Sequence, residues 1–234
     1  MAYYYDNNGY GRGFGGFFGS IPPVTKNIIL INILVFVATL INQNFMVGTF
    51  ALFYPASPYF HFWQVVTHMF MHGGFWHIFF NMYTLLIFGM VLERTIGSKK
   101  FLIFYFVTGL GAAAMHLGVE YIKAQSYLAA ASSSVAAMTS YHNLLLTPTL
   151  GASGAIYGVL IGYAMLFPNS VLTLLFPPIS LKAKWFVLIF AVIELGTGVF
   201  GTSDGIAHFA HLGGMLFGYL LILYWKKTGK LFMY

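Results

Sequence analysis

Gly151-Ala152-Ser153-Gly154-Ala155-Ile156-Tyr157-Gly158 opens an apolar run that continues to Phe167-Pro168. A collar of small residues leaves a serine oxygen approachable, and a turn entering a helix presents backbone N–H groups beside it. Acyl transfer to a nucleophile needs both. The same collar is how helices pack in a membrane, because residues without bulk let backbones meet. On these residues alone both readings stand.

Composition sets the surroundings. Charged residues make up 7% of the 234 and hydrophobic residues 59%, against roughly a quarter charged in an average soluble domain. Mean hydropathy is +0.79. The chain reads as an all-α membrane protein, long enough for one bundle of about six spans. There is no cysteine, which excludes disulfides, thiolate nucleophiles and cysteine metal sites.

Residues 1–25 are rich in Gly, Tyr and Phe, and no apolar core follows a basic start, so a cleaved signal peptide is not expected. Their composition predicts a disordered cytoplasmic tail. Spans are predicted at 27–45, 76–92, 101–122, 153–167, 185–201 and 207–225, within one domain over 26–228 and before a short tail at 229–234. The connection 46–75 has many aromatic residues and no charge, which predicts an interfacial loop with short helical pieces. Residues 124–150 form a Ser/Ala-rich connection with Ser132, Ser133, Ser134 and Pro148.

Basic residues orient the bundle. Arg12, Lys26, Arg94, Lys99, Lys100, Lys182, Lys184, Lys226, Lys227 and Lys230 fall at one set of ends, and Lys123 alone at the other. Both termini are therefore expected in the cytoplasm. Orientation accounts for the net charge of +6, so no nucleic-acid partner is expected.

With that topology, spans two, four and six descend from the outer face, each with polar residues near its start. Span two carries His77 and Asn81 on one helix face, span four Ser153 and Tyr157, and span six His208 and His211. From Ser153 to Phe167 is about 21 Å of helix, in a hydrocarbon core of about 30 Å. Ser153 is thus placed roughly 10 Å below the outer surface. A serine needs a base, and a neutral histidine is the usual one. His211 lies on another helix, where Gly214 and Gly218 give a small-xxx-small face. His77, Asn81 and backbone N–H groups near Ser153 can donate to an oxyanion.

These motifs resemble the rhomboid intramembrane serine proteases. The likeness rests on His77-Ile78-Phe79-Phe80-Asn81, on Gly151-Ala152-Ser153-Gly154, and on Ala210-His211-Leu212-Gly213-Gly214 with Gly218, and covers about 22–228. It implies a six-transmembrane-helix rhomboid-like bundle with Ser153 as nucleophile and His211 as general base. It further implies an oxyanion hole of His77, Asn81 and the Ser153 N–H, with Tyr157 packed on the His211 ring and Gly151, Gly154 and Gly214 in support. The loop 46–75 would lie partly in the outer leaflet, and residues 185–206 would form a lateral gate. Many relatives carry Arg after the loop tryptophan, whereas Gln64 follows Trp63 here, which bears on loop anchoring.

Other polar groups have plainer readings. His68 and His72 are spaced as metal ligands can be, but no carboxylate or cysteine accompanies them, so they read as hydrogen-bonding residues of the loop. His116 reads as a packing or hydrogen-bonded histidine and not a haem ligand. His208 is assigned a structural or entrance role. Asp204 lies in a predicted exposed turn, and Glu93-Arg94 is read as capping span two. Glu194 lies about 14 Å into a span rising from the cytoplasmic face. That places it below Ser153, and a dyad without a third carboxylate is expected. No cofactor and no metal are expected.

The implied activity is intramembrane serine endopeptidase, cleaving membrane-anchored proteins in or beside their transmembrane helix. The expected setting is the lipid bilayer of a prokaryotic plasma membrane. The rivals are a catalytically silent rhomboid-like client-binding protein and a small His-rich transporter or haem/metal membrane protein.

Overall fold

The computed structural model describes residues 19–173, 178–201 and 207–231. The expected tail therefore falls mostly outside the described residues, as do Asp204 and the end of the expected gate. The architecture is helical: α1 (Pro23–Ile41), α2 (Gln43–Phe50), α3 (Gln64–Thr67), α4 (Phe75–Ile96), α5 (Ser98–Ala130), α6 (Val135–Leu146), α7 (Ser153–Leu166), α8 (Ala183–Phe200) and α9 (His208–Lys227). A hairpin of β1 (Val171–Thr173) and β2 (Ser180–Lys182) lies between α7 and α8, with Leu172 opposite Leu181.

Helices α1, α4, α5, α8 and α9 are long and apolar enough to cross a membrane, and α7 is a shorter apolar helix. Lipid-facing positions stay apolar and exposed, as at Leu40, Ile41, Val192 and Phe200. In α4 the segment Leu85–Gly89 is a π-turn. α7 runs through the middle, buried by Gly154, Ala155, Ile156, Gly158, Val159 and Leu160. Around it the core gathers Leu92, Ile96, Phe101, Phe104, Tyr105, Ile222 and Trp225.

Several boundaries differ from the sequence expectation. Span one starts at Pro23, whose fixed φ suits a first helical turn. It stops at Asn42, whose side chain accepts from Phe45 N and caps α2. Residues before 26 are not all tail: Ile21 and Thr25 are buried, and Arg94 Nη2 donates to the Ser20 carbonyl.

Glu93 does more than cap its own span. Its carboxylate accepts from Val24 N, Thr25 N, Thr25 Oγ1 and Ser98 Oγ, at 2.6–3.0 Å. A buried anion thus supplies the orphan N–H groups that open α1 and ties the end of α4 to the start of α5.

The connection 124–150 is largely helical. α5 runs to Ala130, so its 33 residues reach about 50 Å. Ser134 then caps α6 by accepting from Ala137 N at 3.2 Å. Alanine is the strongest helix former, so the Ala-rich composition favours this outcome.

The aromatic loop is organised by Gln64, which is fully buried. Its Oε1 accepts from Phe53 N and His61 N, and its Nε2 donates to Tyr59 O at 2.9 Å and to Gly48 O at 3.3 Å. One neutral amide thereby pins both arms of the loop.

Candidate active site

Ser153 is the first residue of α7, preceded by Ala152 in αR conformation and by Gly151 at φ +139°. That φ suits only glycine, and a Cβ there would lie 2.9 Å from His77 Nε2. Gly151 is thus the thin partition between the His77 ring and the Ser153 hydroxyl. Its N–H donates to the His68 carbonyl at 2.9 Å, which holds the turn to the loop. The next N–H bonded back along the chain is that of Ile156, to Ala152 O. The opening amides of α7, Ser153 among them, therefore have no intrahelical acceptor.

The base candidate arrives from α9. His211 Nε2 lies 2.8 Å from Ser153 Oγ. The approach is made possible by small residues: a Cβ on Gly214 would run into the Gly154 carbonyl, and one on Gly154 into Ala112 Cβ. Tyr157 stacks on the His211 ring, with centroids 4.2 Å apart and planes 8° from parallel.

Asn81 lies one turn below His77 on α4, buried, with Nδ2 donating to the His77 carbonyl at 3.0 Å. One amide hydrogen is used there, which fixes the side chain. The structure thus brings Ser153, His211, Tyr157, His77, Gly151, Gly154 and Gly214 together, with Asn81 one turn along α4 from His77 and bonded to its carbonyl.

Glu194 corrects the depth estimate. It is buried, and its Oε1 accepts from Tyr157 Oη at 2.5 Å while its Oε2 lies 2.6 Å from His208 Nδ1. Oε1 also stands 3.0 Å from His211 Nδ1, off the line of the ring N–H, so this contact is electrostatic more than a directed hydrogen bond. Both helices share a floor, since Ala183 N donates to Ser170 O just past the end of α7. Counted from the helix ends at that floor, Glu194 stands 11 residues from Ala183 and Ser153 stands 14 from the Phe167 cap, a difference of three residues, or about 4–5 Å along the axis. A glutamate side chain covers that gap, so the carboxylate belongs to the same polar layer.

His208 is buried beside it, and its Nδ1 also lies 3.0 Å from Thr197 Oγ1. That hydroxyl donates to the Ile193 carbonyl at 2.8 Å, so toward His208 it accepts. Glu194, His208 and His211 place ligand-type atoms within 4.8 Å of one another. The short carboxylate–imidazole contact of 2.6 Å is a hydrogen-bond distance, closer than neighbouring ligands on one zinc ion stand, roughly 3.3 Å for tetrahedral bonds of about 2 Å. The arrangement therefore suits a proton network better than a metal.

In the loop, His68 donates through Nδ1 to the Gln64 carbonyl at 2.8 Å. His72 departs from its expected role: both ring nitrogens are buried without a hydrogen-bond partner, and its ring meets the His77 ring edge-on at 4.9 Å. His116 bonds Thr149 Oγ1 at 2.7 Å, as a hydrogen-bonded histidine should.

The family model described as the rhomboid domain matches residues 59–227, most of the chain. The chain belongs to the rhomboid family. It is a multi-pass integral membrane protein of that family, with the helical bundle described above. Among curated relatives, this rhomboid is 30% identical over 166 residues to RHOMBOID-like protein 4 of Arabidopsis thaliana, covering 68% of this chain and 33% of the relative. It is 28% identical over 165 residues to Rhomboid protein 1, mitochondrial, of Saccharomyces cerevisiae, covering 70% and 42%. Rhomboid protease AarA of Providencia stuartii is 26% identical over 208 residues, covering 85% and 70%. The chain therefore spans a third to two fifths of the length of the first two relatives.

Proposed function

We propose that this rhomboid is an intramembrane serine endopeptidase that cleaves membrane-anchored proteins in or beside a transmembrane helix. The observation that carries the reading is the 2.8 Å contact between Ser153 Oγ and His211 Nε2, made between two helices of a membrane bundle. Relatives named as rhomboid proteases support it.

In the first step Ser153 Oγ attacks the scissile carbonyl and its proton passes to His211 Nε2. The opening amides of α7, the His77 ring and Asn81 face the developing oxyanion, aided by the helix dipole. The C–N bond then breaks, and His211 returns the proton to the leaving amine. A water next attacks the acyl-enzyme ester and gives its proton to His211. The ester C–O bond breaks, Ser153 Oγ regains the proton, and the carboxyl product leaves. An intact helix shields its carbonyls, so substrates with locally unwound segments are preferred. We take the bundle to have six spans with both termini in the cytoplasm, which sets this chemistry toward the outer face of a prokaryotic plasma membrane.

The test is labelling of the detergent-purified chain by a fluorophosphonate, alongside cleavage of a model transmembrane substrate. Both should vanish in Ser153→Ala and fall steeply in His211→Ala. Labelling that survives Ser153→Ala overturns the assignment. A catalytically silent binding protein would show neither signal in the unaltered chain, a result that retention of both side chains at hydrogen-bond distance argues against.

A further inference from the structure

Glu194 is one of three buried residues on α8, with Ala183 and Val187. Only 22% of that helix's apolar window is buried, the least among the five long spans. Ala183 and Val187 lie in its first turns, so over its outer half Glu194 is the one fully buried residue, with Thr197 Oγ1 3.0 Å from His208 Nδ1 beside it. Everything this carboxylate touches belongs to the site: Tyr157 on α7, and His208 and His211 on α9.

We infer that Glu194 is a positioning residue for His211, extending the serine–histidine pair to a serine–histidine–carboxylate group and making the docking of α8 a condition for activity. The inference rests on the protease reading above. Proton accounting supports it. For Nε2 to accept the Ser153 proton, the neutral ring must carry its hydrogen on Nδ1, the nitrogen that stands 3.0 Å from Glu194 Oε1 in electrostatic contact. An ionised carboxylate there selects that tautomer and stabilises the imidazolium that forms, without taking the proton itself. Tyr157 Oη and His208 Nδ1 occupy the two carboxylate oxygens from either side, and the Tyr157 ring holds the imidazole plane. α5 meets α9 through Gly111, Ala112 and Met115 at Gly213, none of which titrates, and on α4 the titratable neighbour of the site is His77.

The sequence order gives the arrangement its consequence. The carboxylate sits on the least embedded helix, while the nucleophile and the base sit on two helices locked together at Gly154 and Gly214. Displacement of α8 leaves Ser153 and His211 in contact but removes the group that orients the ring. The site is therefore armed only when α8 is seated.

The experiment compares Glu194→Gln with the unaltered chain, with Ser153→Ala as the blank. Glutamine keeps the shape and can still bond Tyr157 and His208, so the thermal midpoint and KM should hold. We expect kcat and the rate of fluorophosphonate labelling to fall by about 10²–10⁴-fold, as when a triad carboxylate becomes an amide. Loss within threefold overturns the inference, as does a loss matched by a lower midpoint or carried by KM. If Glu194→Gln does not fold, Tyr157→Phe takes its place. It retains the ring stack, frees Oε1, and should lower kcat several-fold at constant KM; unchanged kcat overturns the inference. An unaltered chain that shows no Ser153-dependent labelling or cleavage refutes the protease reading itself.

Discussion

Tyr157 and His211 lie face to face, 4.2 Å between ring centroids and 8° from parallel, on different helices. The tyrosine comes one turn below Ser153 on the same helix, so the proposed nucleophile and the ring support share one rigid element. An imidazole that accepts a proton through Nε2 must keep its plane aimed at Ser153 Oγ. The stack limits its rotation, and the same tyrosine's hydroxyl holds the Glu194 carboxylate.

Tyr157→Ala removes both functions at once. An aromatic stack is worth about 0.5–1.5 kcal/mol, which as lost positioning in the transition state is roughly 2- to 13-fold in rate. Losing the hydrogen bond to Glu194 adds to that. Steady-state cleavage should therefore rank the unaltered chain above Tyr157→Phe, and Tyr157→Phe above Tyr157→Ala. Equal rates for the two variants would show that the ring contributes nothing.

Glu93→Ala should destabilise the fold while sparing the chemistry. Four donors, Val24 N, Thr25 N, Thr25 Oγ1 and Ser98 Oγ, lose their acceptor. Leaving buried donors unsatisfied costs about 1–3 kcal/mol each, so a total of at least about 3 kcal/mol is expected. Thermal unfolding in detergent measures it. The folded fraction, assayed well below the midpoint, should cleave substrate at close to the normal rate, because the clamp lies at the opposite end of the bundle from Ser153.

Acid should weaken the loop before it affects the spans. Burial holds His68 down to about 4 and His72 down to about 3, below the ordinary value of about 6.5 in the unfolded chain. His72 is lowered further by the neighbouring His77. Between these limits the unfolded state binds more protons, so stability present above pH 6.5 is lost as pH falls. Each histidine contributes a slope of about 1.4 kcal/mol per pH unit in that window. The thermal midpoint should drop steadily from about pH 6 to pH 4, and His72→Phe should make the drop shallower. An equal slope in the variant would mean that His72 is solvated in the folded state.

The bundle was legible because its signals are periodic or local, and the pairing of Ser153 with His211 because three motifs resemble those of one family. Apolar runs of span length, basic residues at one set of ends, and polar residues at the heads of spans two, four and six needed no long-range information. Glu194 was missed for a physical reason. Counting residues places a Cα to within a turn, and a carboxylate on a flexible side chain reaches farther than that error. The pairing of His208 and Tyr157 across two helices with one acid on a third has no sequence spacing to announce it. Residues 124–150 were read only as a Ser/Ala-rich connection and their helices went unread, although Ser134 sits where an N-cap should, ahead of an alanine pair. The clamp at Glu93 spans 69 positions to Val24, and only folding brings those ends together.

That clamp also orders events during synthesis. It joins residues 24, 25, 93 and 98, so it closes once α4 and the start of α5 have been made. Chains fold from the N-terminal side as they emerge, and Ser153, Glu194 and His211 all come later. The growing chain is therefore stapled across its first helices before Ser153 has been made, and on the proposed function His211, which comes last, completes the site in a chain whose first spans are already joined.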